Sequence, residues 1–165
     1  MRHVVLLLLT TQAVFCASSF DRSKALIEER MAVTSDFAAA QAALKNAKSS
    51  VDIDAASAKV ESVADKILSL RAKTVQANDN LISILSGQGY PFAGDQDKSA
   101  TIKATYQKLK VINAGLSRLS FTATAPYQPR DINTLQILLD RTKSAIDEHK
   151  HAVQNIETRL AQLKR

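Results

Sequence analysis

Two histidines are the side chains of this sequence best suited to acid–base or metal chemistry. His149 and His151 lie two positions apart in a segment whose apolar pattern predicts a helix. Residues two apart on a helix point about 200° away from each other, so the pair cannot share one metal ion. We expect His149 to lie at the edge of the core, bonded to a neighbouring carboxylate, with a pH-sensitive role as the alternative. His151 should face solvent.

Two pairs of aspartates resemble fragments of calcium-binding loops. They are Asp52-x-Asp54 and Asp95-x-Asp97. Neither pair is followed by the further oxygen ligands and the terminal glutamate that a calcium loop requires, so we expect both to cap helices. The sequence also lacks a Ser-His-Asp arrangement, a glycine-rich phosphate loop and a Glu-x-x-His pair. It therefore predicts a protein without enzymatic activity, cofactor or metal.

The distribution of charge is more informative. The chain has 22 Lys and Arg against 16 Asp and Glu, a net charge of +6. No acidic residue occurs from Lys98 to Arg130, so the helix predicted there carries a positive face. Such a face is either only a solvated surface or a docking site for an acidic protein, a sulfated glycan or an anionic membrane. Nucleic acid is not expected as a partner, because the charge excess is modest and the chain is predicted to be exported.

Four aromatic residues fall in the two long loops that the sequence predicts. Large rings in loops often anchor interfaces, and the alternative is that they fold back and cover the ends of the helices. We predict a partner-binding surface made of the third helix and these loops. Its candidate residues are Lys103, Lys108, Lys110, Arg118, Tyr90, Phe92, Phe121 and Tyr127.

The first residues have the pattern of an export signal. A short positive start precedes an apolar run over residues 4–9, and a signal-peptidase cut fits after Cys16. We predict a signal peptide over residues 1–16 and one secreted helical domain over residues 17–165. Lipidation of Cys16 and a structural role for this segment are the alternatives. Cleavage removes Arg2 and the only cysteine, which lowers the net charge to +5 and leaves no thiol. No later apolar stretch approaches the roughly 20 residues of a membrane span, so we expect no transmembrane segment.

Apolar residues at alternating intervals of three and four predict four helices, at about residues 21–48, 54–86, 98–119 and 132–163. The second and the fourth each carry a narrow apolar seam, and Asp131 caps the fourth. The seam positions are Ile53, Ala56, Val60, Val63, Ile67, Leu70, Thr74, Ala77, Leu81 and Ile84 in the second helix, and Ile132, Leu135, Leu139, Thr142, Ile146, His149, Val153, Ile156, Leu160 and Leu163 in the fourth.

Such narrow seams are built to meet other helices. We predict an all-α protein, an elongated antiparallel four-helix bundle with a gentle left-handed supercoil. The alternatives are a three-helix bundle, in which the first two segments form one bent helix, and a coiled coil that dimerises. We expect a monomer or a weak homodimer.

In general layout the chain resembles the small secreted salivary effectors of blood-feeding insects, including anopheline inhibitors of the alternative complement pathway. The shared features are a leader, a cysteine-poor helical chain of this size and a basic surface. The resemblance implies a protein that binds a host plasma protein complex and blocks it without chemistry.

Composition, charge and layout together predict a secreted, non-enzymatic binding protein, an inhibitor or effector that engages an extracellular protein. One alternative is a carrier whose amphipathic helices open around lipid or another hydrophobic ligand. Another is a structural coiled-coil protein. The narrow, alanine-rich seams and the absence of tryptophan favour the binding protein over the carrier.

Overall fold

The chain folds into α-helices. A computed structural model describes the backbone of residues 2–87, 96–118 and 131–163, with side chains at 22, 24–83, 100, 103–116, 131–159 and 161. The helices are α1 (Arg2–Asn46), α2 (Ser50–Gly87), α3 (Gln96–Arg118) and α4 (Ile132–Leu163). No strand occurs in these ranges, which confirms the prediction of an all-α protein. Over the same residues, no helix is both long and apolar enough to cross a membrane.

The turn between α1 and α2 is shorter than the sequence pattern predicts. α2 begins at Ser50 rather than near Asp54, because Ser49 and Asp52 form a capping box. The backbone N–H of Asp52 donates to Ser49 Oγ at 3.2 Å, and the N–H of Ser49 donates to Asp52 Oδ2 at 3.0 Å. The hydrogen bonds from Ser49 and from the Lys48 N–H lower the pKa of the Asp52 carboxyl. Asp52 therefore caps a helix, as expected.

The start of α4 follows the sequence prediction. Asp131 Oδ1 accepts a hydrogen bond from the Thr134 N–H at 2.6 Å, and the Asp131 carbonyl accepts one from the Leu135 N–H at 3.1 Å. The bond from the Thr134 N–H lowers the pKa of the Asp131 carboxyl. The Asp131 side chain thus satisfies the Thr134 amide, which a helix start leaves without an intrahelical partner, and the Asp131 carbonyl accepts the first intrahelical bond.

The first helix is longer than predicted. α1 begins at Arg2 rather than near Asp21, so it includes the apolar residues that the sequence pattern assigns to a leader. The second aspartate pair cannot be compared with its prediction in the same way. Asp95 and the side chain of Asp97 lie outside the described residues, so their capping role stays a prediction.

The seams of α2 and α4 form much of the core. Their described side chains are buried, or partly buried at Ile53 and Ala77, and His149 is buried with them. Ile132 is the exception: it is 43% exposed, because it is the first residue of α4 and precedes the packed part of the helix. The seam side chains outside the described residues are Ile84, Leu160 and Leu163.

Two core clusters share α2 and α4. These two helices pack against each other, and each also packs against α1 and against α3. No contact joins α1 to α3 within the described chain. One cluster combines α1, α2 and α4 through buried residues such as Ala40 and Leu139. The other combines α2, α3 and α4 through Leu81, Leu109 and Ile156. α1 and α3 therefore complete the core at different places along the pair of α2 and α4.

Candidate functional site

The outer surface of α3 carries three of the predicted contact residues. Lys103, Lys108 and Lys110 are exposed, whereas Leu109 and Leu116 are buried on the side of α3 that meets α2 and α4. Each helical residue turns by about 100°, so Lys103 and Lys110 lie on one flank of the outer surface and Lys108 on the other. We call these three lysines the basic face.

No carboxylate among the described residues neutralises the basic face. The ion pairs of the described residues lie within α1, between α1 and α2, and between α2 and α4, and none of them includes a lysine of the basic face. Lys66 Nζ, for example, lies 2.7 Å from Asp36 Oδ2. Lys110 Nζ lies 5.2 Å from the centre of the Tyr106 ring, a distance at which a cation interacts with an aromatic face. The basic face therefore presents positive charge that described acidic groups do not offset.

The other predicted contact residues cannot be placed against the basic face. Arg118 is the last residue of α3, and its side chain lies outside the described residues. Tyr90, Phe92, Phe121 and Tyr127 lie outside them altogether. Their part in binding stays a prediction.

Sequence reasoning missed an exposed apolar residue between the two flanks of the basic face. Val111 is 68% exposed, and Ala104, Gln107 and Ala114 are exposed on the same side of α3. We call these four residues the outer seam. The signal was present in the sequence, because these positions repeat the intervals of three and four on the side of α3 opposite Leu109.

The buried histidine has different surroundings from those expected. His149 is 0% exposed, and its Nε2 lies 2.8 Å from Thr74 Oγ1 on α2. The predictions of a core-edge position and of a carboxylate partner are therefore wrong. The reason is that the seam position of His149 turns the ring into the contact with α2. His151 is exposed, as predicted.

Burial, together with nearby positive charges, keeps the His149 ring neutral. Burial lowers the pKa of His149 to about 4, and the positive charges of Arg30 and Arg71 act in the same direction. The negative charge of Glu29 raises this pKa but does not offset the other effects. An imidazole with this pKa is uncharged at neutral pH.

Arg71 fastens the end of α3 to α2. This arginine is only 3% exposed, and its Nη2 and Nε donate to the Leu116 carbonyl oxygen at 2.7 and 3.3 Å. Its Nη1 lies 3.4 Å from Glu148 Oε2 on α4. The carbonyl of Leu116 belongs to the last described turn of α3, so these hydrogen bonds hold that turn against α2. Burial lowers the pKa of Arg71, while Glu148 raises it. Sequence reasoning missed this residue, because nothing in the sequence distinguishes a buried arginine from an exposed one at this position.

Two asparagines fix the middle of α3. Asn78 Nδ2 donates to Asn113 Oδ1 at 2.6 Å and to the Leu109 carbonyl at 3.2 Å. Asn113 Nδ2 donates to Asp79 Oδ1 at 2.7 Å and to the Val75 carbonyl at 3.3 Å. Asn113 therefore lies in the contact between α3 and α2.

The buried polar groups described above join helices: His149 contacts Thr74, Arg71 contacts Leu116, and Asn78 contacts Asn113. Within the described part of the chain, no group of three His, Cys, Asp or Glu is placed to hold a metal ion. The basic face and the outer seam are both exposed on the side of α3 that faces away from α2 and α4. They constitute the candidate functional site.

The chain matches none of the protein-family models, curated proteins or solved structures with which it was compared.

Proposed function

We propose that this chain is a secreted, non-enzymatic binding protein, an inhibitor or effector that engages an acidic extracellular protein through the basic face and the aromatic loops. The observation that supports this function is the basic face itself. Its three lysines are exposed on a helix whose opposite side is used by the core, in a stretch of sequence without acidic residues. Such charge steers an acidic partner toward the surface and weakens as salt screens it.

The proposal includes an arrangement of the helices as an elongated antiparallel bundle. Between α1 and α2, and again between α2 and α3, paired positions rise along one helix as they fall along the other. This is the order that antiparallel neighbours with short connections produce. The pairs are Asp36–Lys66, Glu29–Lys73, Arg71–Leu116 and Asn78–Leu109.

Export is a separate part of the proposal. The pattern of residues 1–16 supports cleavage after Cys16, and the test is expression of the full chain in a eukaryotic secretory cell line. We expect the protein in the medium, with Ala17 as its first residue by amino-terminal sequencing. A chain retained in the cells with residues 1–16 still attached would contradict export.

The binding function is tested by reversing charge on the basic face. The variant Lys103→Glu/Lys110→Glu and a matched control, Lys143→Glu/Lys150→Glu, change the same charge at exposed lysines seven positions apart, on α3 and on α4. Each protein is immobilised and presented to plasma, and the retained proteins are quantified. We expect wild type and control to retain the same partner and the basic-face variant to lose at least about tenfold in affinity.

Three further assays separate the proposal from its alternatives. The layout resemblance supports inhibition of the alternative complement pathway, so we expect the wild-type chain to reduce alternative-pathway lysis of erythrocytes. Co-sedimentation with neutral and anionic vesicles tests the lipid carrier, and sedimentation velocity tests the structural coiled coil. Equal plasma binding by wild type and the basic-face variant would contradict the proposed surface.

A further inference from the structure

We infer that the partner's contact element is an acidic amphipathic α-helix that lies along the outer seam of α3. This inference rests on the proposed function, because it uses the same surface. Beyond the proposed function, the inference specifies the secondary structure of the partner and the register of the contact. The charge of the lysines specifies neither.

The outer seam has the spacing of a coiled-coil contact. Ala104, Gln107, Val111 and Ala114 occupy successive a and d positions of a heptad, and the most exposed apolar side chain, Val111, lies near the middle. A Cβ placed on Gly115 would meet nothing within 4 Å, so the surface beside the seam is open. α1 does not contact α3 within the described chain, so that helix does not cover the seam.

The lysines of the basic face flank this seam on both sides. Lys103 and Lys110 immediately precede the two a positions and are therefore g positions, while Lys108 follows a d position and is an e position. In a pair of helices, e and g side chains of one helix face those of the other and select opposite charge. Positive e and g positions on α3 therefore select a helix with Glu or Asp at its own e and g positions.

Charge also argues against a second copy of this chain as the occupant. Two α3 helices packed seam to seam would bring lysines against lysines, which is unfavourable at a contact. The small seam residues allow a partner helix to approach closely, with axes about 8 Å apart. At that distance the aliphatic stems of the lysines cover the partner's apolar side chains while their charged ends meet its carboxylates.

The outer seam distinguishes a helical partner from other acidic ligands. A sulfated glycan or an anionic membrane would bind the lysines but would gain little from a neutral side chain at position 111. A helical partner would pack on Val111. The contribution of Val111 is therefore the readout that distinguishes a helix from a ligand that supplies charge alone.

The test uses two fluorescent peptides of about three heptads each. The heptad peptide has Leu at a and d and Glu at e and g, and the permuted peptide has the same composition without the heptad spacing. Fluorescence anisotropy measures the binding of each to the full chain at low and high salt. Four variants are compared: Val111→Asn, its control Val51→Asn at a valine 74% exposed on α2, and the two charge-reversal pairs.

We expect the wild-type chain to bind the heptad peptide at least about tenfold more tightly than the permuted peptide. Val111→Asn should lower the affinity for the heptad peptide several-fold without changing the salt dependence of binding. Val51→Asn should leave that affinity unchanged. Lys103→Glu/Lys110→Glu should weaken it most at low salt. Circular dichroism checks that each variant keeps its helicity.

Equal binding of the two peptides, or full binding of the heptad peptide by Val111→Asn, would overturn the inference. The proposed function has its own outcome. If the heptad peptide fails while plasma binding still depends on Lys103 and Lys110, the basic face binds an acidic partner of another shape. If plasma binding does not depend on these lysines either, the proposed function also fails.

Discussion

Thr74 and His149 form a hydrogen bond across the contact between α2 and α4, with 2.8 Å between Thr74 Oγ1 and His149 Nε2. The same hydroxyl donates to the Leu70 carbonyl at 2.9 Å. Because a hydroxyl has only one proton, Thr74 must accept from the ring, so the neutral imidazole carries its proton on Nε2. Nδ1 is then a buried acceptor, and neither it nor the buried donor Arg30 Nη1 has a hydrogen-bond partner among the described residues.

Removing the acceptor of His149 should destabilise the fold. In Thr74→Val the ring N–H loses its partner in the core, which we expect to lower the free energy of unfolding by about 1–3 kcal/mol, whereas Thr74→Ser keeps the hydroxyl and should lose less. Thr142→Val is a matched control, because the buried Thr142 hydroxyl donates to the Leu138 carbonyl of its own helix and bonds no other helix among the described residues. Urea unfolding at pH 7 measures all three. Equal losses at positions 74 and 142 would contradict this assignment.

Acid should destabilise the protein through His149. The pKa of this group is about 4 in the folded chain against 6.5 for the unperturbed group, so the unfolded chain binds the proton first as pH falls. Stability should therefore decline from about pH 6.5 to about pH 4, by a total of about 3 kcal/mol from this group. The charged groups that face the ring are Arg30 and Glu29 of α1 and Arg71 of α2, with Glu148 of α4 bonded to Arg71; α3 contributes the Leu116 carbonyl to Arg71.

This pH dependence has a direct control. Urea unfolding of wild type, His149→Gln and His151→Gln is followed between pH 7.5 and pH 4. His151→Gln should keep the wild-type slope, because that ring is exposed, and His149→Gln should flatten it even if its stability at pH 7 is lower. Identical slopes for wild type and His149→Gln would show that another group is responsible.

The Arg71 contact predicts an asymmetry between its two partners. Arg71→Met leaves the Leu116 carbonyl without its donor, and we expect a loss of about 2–3 kcal/mol in unfolding free energy. Glu148→Gln should cost less than about 1 kcal/mol, because the substituted amide keeps an oxygen that accepts from Arg71 Nη1 and the Glu148 side chain is 44% exposed. Lys66→Met, which breaks the exposed pair with Asp36, should behave like Glu148→Gln. Chemical denaturation measures the series, and an Arg71→Met loss no larger than that of Lys66→Met would refute the anchoring role.

The orientation of α3 is testable independently of any partner. Leu109 is 0% exposed and Val111 is 68% exposed, although they are two residues apart on one helix. Leu109→Ala should therefore cost about 2–5 kcal/mol, the range for a truncated core leucine, and Val111→Ala should change stability by less than about 0.5 kcal/mol. Thermal or urea unfolding separates the two results. A large loss at Val111 would place that residue in the core and remove the outer seam.

Periodicity is sufficient to predict four helices and the inner faces of α2 and α4, although not where α1 and α2 begin. Residues such as Val60, Ile67 and Leu139 are buried where the spacing of three and four puts them, because helix geometry fixes which positions share a face. The start of α2 was less predictable. Ser49 and Asp52 look like turn residues until their mutual hydrogen bonds are known, and those bonds begin the helix earlier.

The polar contacts of the core were not predictable from the sequence. His149 finds its partner 75 positions away, and Arg71 finds the Leu116 carbonyl 45 positions away, so no local pattern connects them. The candidate site was predictable in part. The lysines of the basic face are recognisable in the sequence by their charge. The exposure of Val111 is clear only when it is known which side of α3 packs against α2 and α4.

The hydrogen bonds that Arg71, Asn78 and Asn113 make between α2 and α3 have a consequence for recognition. Two helices that meet only through apolar side chains can shift in register by one turn at little cost. The same shift between α2 and α3 would leave buried amide and guanidinium groups without hydrogen-bond partners, which costs free energy. The alignment of α3 on its scaffold is thus locked before any ligand arrives. The backbone of α3 is therefore ordered before binding, so that at this surface only the exposed side chains lose conformational entropy when a ligand binds.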